Sequence, residues 1–75
     1  MEVYHININK EDLDINAFVA ANSAEMAMLI FGKEALNFGI LFALLDIEDA
    51  DFQVKLFDGL HYDTEVAKTI YANIR

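Results

Sequence analysis

Residues 3–9, VYHININ, alternate strictly, with Tyr4, Ile6 and Ile8 on one side and Val3, His5, Asn7 and Asn9 on the other. Period two with β-branched and aromatic residues predicts a strand. Its one apolar face suits a sheet covered on a single side. A polar break, Lys10 to Asp14, follows. Beyond it Ile15, Phe18, Val19, Met26, Leu29 and Ile30 fall on one helical face, interrupted by Asn22 and Ser23. That spacing predicts either one helix over about 14–31 or, preferably, two short helices meeting near Asn22. Asn22 and Glu25 have the separation of a capping box, and Gly32 stands where a helix C-terminus favours a left-handed residue.

The stretch Ala35–Leu45, ALNFGILFALL, is the most apolar of the chain and carries no charge. Its length and its Leu and Ala content predict a helix over 34–47 that is hydrophobic on every side, a helix that belongs inside something. Asp46, Glu48 and Asp49 then lie at its C-terminal end, where the helix dipole disfavours carboxylates. In 52–62 the residues Phe52, Val54 and Leu56 alternate with polar ones, and Asp58-Gly59 is a hairpin turn signal. A hairpin is preferred there over a short helix, because it gives the N-terminal strand a partner. Asp63 as N-cap and Val66, Ile70 and Ile74 at spacing four predict a final helix. The fold class read from these elements is α+β, a single domain over 1–75. A small antiparallel sheet, from residues 3–9 and 52–62, packs against three to four helices. The alternative is a small all-α bundle.

Composition changes this picture in one respect. The chain has 75 residues with 56% hydrophobic side chains, yet thirteen acids against five bases give a net charge of −8. High hydrophobicity excludes disorder, and strong acidity argues against direct nucleic-acid binding, which needs lysine and arginine on phosphates. Lys33 and Glu34 sit in the middle of the longest apolar neighbourhood, Met26 to Leu45, and argue against a membrane span. The chain lacks cysteine, and Met1-Glu2-Val3-Tyr4 is unlike a secretory leader. Both features point to a cytoplasmic location.

Candidate chemistry is sparse. Ser23, Thr64 and Thr69 have no nucleophile-elbow surroundings, and His5 and His61 share no motif with them. Asp46, Glu48, Asp49 and Asp51 fail the calcium-loop pattern, having alanine at position 5, Asp51 at 6 and Phe57 at 12. No catalytic residue, metal or cofactor is therefore expected, and the chain is not read as an enzyme.

Binding is the function that composition favours. A compact acidic body suits the basic groove of a nucleic-acid-binding protein, where carboxylates stand in for phosphates. Small inhibitors of phage or mobile-element type share this composition. Asp46, Glu48, Asp49 and Asp51 are the candidate contacts with such a partner. Apolar area beyond what so small a chain covers also predicts homo-oligomerisation, through Phe38, Phe42, Leu45, Met26 and Phe31. A homo-oligomeric structural or regulatory module, or a small-ligand sponge at an oligomer interface, is the alternative function.

Overall fold

The computed structural model describes residues 1–10, 13–40 and 51–75. It is built on a four-stranded antiparallel sheet in the order β3-β1-β2-β4. β1 (Glu2–Lys10) and β2 (Leu13–Ala21) form a hairpin in continuous register from Glu2↔Ala21 to Lys10↔Leu13. β3 (Asp51–His61) adds to the outer side of β1, and β4 (Lys68–Ile74) to the outer side of β2. Between β2 and β3 the chain forms one α-helix, α1 (Ala24–Glu34), followed by a 3-10 turn, Ala35–Phe38.

The architecture is thus mostly sheet, and it corrects the expected fold class. Among the described residues there are neither three to four helices nor an all-helical bundle. β1 is the strand its alternation announces. The segment read as helix from Ile15 is β2, in which Ile15, Ala17, Val19 and Ala21 are buried at period two, with Ala20 buried as well. The expected final helix is β4, and the expected 52–62 hairpin is one strand. There a step of two residues on β1, from Glu2 to Tyr4, faces a step of five on β3, from His61 to Leu56. The Asp58-Gly59 signal therefore marks a bulge rather than a turn.

Tyr4, Ile6 and Ile8 of β1 pair with Val19, Ala17 and Ile15 of β2 and form the floor of the core. Alanines at 17, 21 and 72 leave room for α1 to approach, and Ala27 and Phe31 fill it. Phe31, 1% exposed, is the largest fully buried side chain among the described residues. The break at Asn22-Ser23 is real, but the cap is Ser23, whose Oγ accepts the Met26 amide at 3.1 Å.

Gly32 lies inside α1 rather than ending it. The left-handed residue is Gly39, at φ 78°, donating to Leu36 O at 3.0 Å, while the Ile40 amide reaches back to Ala35 O. This is a Schellman-type stop whose following apolar residue, Ile40, is buried in the core. The expected continuous helix over 34–47 is interrupted there, and residues 41–47 of that expectation lie outside the described residues. No helix among the described residues is long and apolar enough to cross a membrane.

Candidate functional site

α1 covers one face of the sheet; among the described residues no helix covers the opposite face. The side chains of that face follow from the registers. Across β3, β1, β2 and β4 runs a row of Lys55, His5, Phe18 and Tyr71, and beside it a row of Gln53, Asn7, Asn16 and Asn73. One row is aromatic and basic, the other is made of amides.

The amide row is knitted together. The Asn7 amino group donates to Asp14 Oδ1 at 2.8 Å, to Asn16 Oδ1 at 3.1 Å and to Ile15 O at 3.2 Å. Asn9 donates to Asn7 Oδ1, and His5 Nε2 lies 2.9 Å from Asn16 Oδ1. With a carbonyl oxygen opposite, that histidine nitrogen is the donor. The His5 ring also stacks on Phe18, with centroids 4.9 Å apart and planes at 16°. These contacts fix the orientation of Phe18, which meets the edge of Phe57 at 5.5 Å.

Phe18 and Phe57 belong to an open concavity of about 340 Å³, lined also by Val3, Tyr62, Ile70 and Tyr71. Two irregularities build it. The bulge of β3 lies opposite Val3, and the bulge of β4 lies between the pairs Phe18↔Tyr71 and Val19↔Thr69, so that Ile70 is the extra residue. Both occur at the same end of the sheet. Bulges bend a strand and re-aim its side chains, which is how Phe57 and Ile70 come to wall this depression. Phe57 is 44% exposed and Tyr71 52%, so the concavity opens to solvent through aromatic surface.

Besides Lys55 and the Asp14 carboxylate on this face, four carboxylates stand near one end of the sheet. Glu2 begins β1 opposite His61 and Ala21, Glu25 lies in the first turn of α1, and Asp63 and Glu65 lie in the link from β3 to β4. All four carboxylates are exposed and stand at the end of the sheet that carries the concavity. Lys68 is at the same end, its Nζ 5.0 Å from the Tyr62 ring centroid. Tyr4, on the covered face, has a displaced titration. Burial, and then the nearby Glu2 carboxylate, push its phenol up from the ordinary value.

Of the residues singled out from sequence, Asp46, Glu48, Asp49, Phe42 and Leu45 lie outside the described residues. Asp51 begins β3, paired with Asn9. Phe38 is partly exposed, Met26 is half-buried against the core, and Phe31 lies inside the core. Phe31 is covered by its own chain and has no area left for another. The residues that sequence reasoning missed are Phe18, Phe57, Ile70 and Tyr71. Their signal was faint: two apolar residues, Val3 and Phe18, on the polar side of otherwise alternating strands. Among the described residues no three histidine or acidic side chains gather as a metal site. No protein-family model, curated protein or solved structure matches the chain.

Proposed function

We propose that the protein is a binding module that docks onto a partner protein through the open face of its sheet. The observation that carries this reading is the aromatic concavity of Phe18, Phe57 and Tyr71, which opens to solvent. An exposed apolar patch of this kind usually marks an interaction surface, and aromatic residues are the usual anchors of a protein interface. Covering the exposed half of one such ring removes roughly 100 Å² from water, worth about 2.5 kcal/mol at 25 cal/mol per Å². The net charge of −8 favours a partner with a basic surface, of the kind that nucleic-acid-binding proteins carry. Inhibition of such a partner follows from occupying that surface.

Affinity capture from the source cell at about 0.05 and 0.3 M salt, spanning about a 2.4-fold change in screening length, tests the reading. Wild-type chain is compared with Phe57→Ser and with a double charge reversal, Asp63→Lys with Glu65→Lys. A basic protein retained at low salt, and weakened by both variants, supports it. Identical capture by all three chains refutes it. The homo-oligomeric reading has its own support in Leu36, Phe52 and Leu56, which are exposed. Sedimentation of the free chain separates the two readings, since self-association holds or tightens as salt rises.

A further inference from the structure

α1 turns one face to the sheet and the other to solvent. Ala27 and Phe31 are buried, whereas Glu25, Leu29, Gly32 and Lys33 are exposed. At 3.6 residues per turn these four share one side of the helix, directed away from the core. Leu29 is 68% exposed, and Leu36, in the 3-10 turn that follows, is 64% exposed.

Gly32 is the unexpected member of this face. A glycine inside a helix weakens it relative to alanine. Its surroundings give no reason for it, because a Cβ built there meets nothing within 4 Å. Its backbone is helical, so no left-handed conformation calls for it either. The remaining use of the missing side chain is to let something outside the chain come close.

The charges of this face have a matching order. Glu25, Leu29 and Lys33 stand four residues apart in turn. Glu25 and Lys33 are about 12 Å apart along the axis at 1.5 Å per residue, too far to pair within one helix. Neither has an ion-pair partner among the described residues. When a second copy is laid antiparallel with a two-fold axis at Leu29, each Glu25 comes opposite Lys33 of the other copy. The two Leu29 side chains then meet at the axis, and Gly32, about one turn on, gives them room. Glu25 in the first turn and Lys33 in the last also suit the helix dipole. The dipole, however, asks for neither an exposed leucine nor a glycine between them.

We propose that α1 is a self-association surface, on which two copies of the chain pair their helices antiparallel about Leu29. The face is complementary to itself, as a two-fold interface must be. One short helix per copy makes a small interface and a weak dimer, and the net charge of −8 opposes it further. The two crossed ion pairs set its register. The aromatic concavity lies on the opposite face of the sheet, so the dimer displays two docking faces pointing apart, and a partner with two basic sites is held at both. The proposal is independent of the docking reading, and it gives the homo-oligomeric reading a specific contact.

Sedimentation equilibrium of the full chain, from about 10 µM to about 1 mM at about 0.15 M salt, is the test. The expected result is a monomer–dimer equilibrium with a dissociation constant on the order of 100 µM. Leu29→Glu should abolish the dimer. Gly32→Ala should weaken it about tenfold by overpacking, while raising the melting temperature of the dilute monomer, since alanine is the better helix former. Glu25→Lys should weaken association about fivefold although it makes the chain less acidic, and Lys33→Glu should do the same. Combined in one chain, the two exchanges should restore the dimer. Phe57→Ser should leave it unchanged. A chain that stays monomeric throughout overturns both this proposal and the homo-oligomeric reading. A dimer indifferent to Leu29→Glu or Gly32→Ala, tightened by Glu25→Lys, or not recovered by the double exchange overturns this interface and leaves that reading standing.

Discussion

Thr69 offers two substitutions of opposite sign at one place. Its backbone N–H donates to Glu34 Oε1, which ties the end of α1 to the bulged start of β4. Its own hydroxyl is buried without a partner, in a residue only 8% exposed. A hydroxyl removed from water and left unpaired costs about 1–3 kcal/mol. Valine has nearly the same shape, and its branched Cβ suits a strand. Thr69→Val should therefore stabilise the fold, by about 1 kcal/mol if the edge position relaxes part of the strain. Glu34→Ala removes a charged acceptor from a backbone donor and should cost about 1.5–3 kcal/mol.

Against a total of roughly 4–11 kcal/mol for a chain of this length, both effects are large enough to measure. Urea unfolding followed by far-ultraviolet circular dichroism reads them as changes of midpoint at constant slope. In heat, the valine variant should melt about 4–8 °C higher. A Thr69→Val protein that is destabilised by more than about 0.5 kcal/mol would show that the hydroxyl is hydrogen-bonded, and the account of this corner would fail.

Other substitutions probe the rest of the frame. Phe31→Ala empties the centre of the core and should cost about 3–5 kcal/mol, leaving a marginal fold in urea titration. A loss that vanishes at high protein concentration would instead place Phe31 in an interface. Ser23→Ala removes the cap of α1 and should cost about 1 kcal/mol, whereas Ser23→Asp should cost little. Tyr4, with its phenol titrating higher when folded, binds its proton more tightly in the native state. Its contribution is complete below the unfolded value near 10 and is lost as pH rises through the folded one. Stability measured from pH 9 to 11 should fall less steeply in Tyr4→Phe, and an unchanged slope would contradict the assignment.

How much of this was legible follows from which residues carry period two cleanly. β1 was readable because its polar side is polar almost throughout. β2 was not, because Ile15, Phe18 and Val19 fit a helical face as well as they fit a strand, and because its inward positions 17 and 21 are small alanines. Those alanines are what let α1 pack, so the feature that weakens the strand signal is the one that builds the core. Asp58-Gly59 was a genuine local signal put to another use, since the same backbone freedom that turns a hairpin also accommodates a bulge. Towards and along β4, spacing four at Val66, Ile70 and Ile74 is compatible with both periods. The docking concavity was invisible for a related reason: it is made where the alternation slips.

That slip yields a sharp test at Ile70. Because Thr69 already pairs with Val19 and Tyr71 with Phe18, Ile70 is the one residue of β4 that can be deleted without changing any other pair. Deletion should straighten the edge, keep Ala72 and Thr69 facing the core, and remove one wall of the aromatic concavity. Deletion of Ala72 instead shifts the strand by one residue, and a one-residue slip sends every inward side chain to the other face. The first variant should therefore retain a cooperative unfolding transition with weakened partner capture, and the second should lose the transition altogether. Equal unfolding of both would mean that Ile70 holds the sheet together through its own packing. The bulge would then be a requirement of the fold, and its part in shaping a binding surface would be incidental.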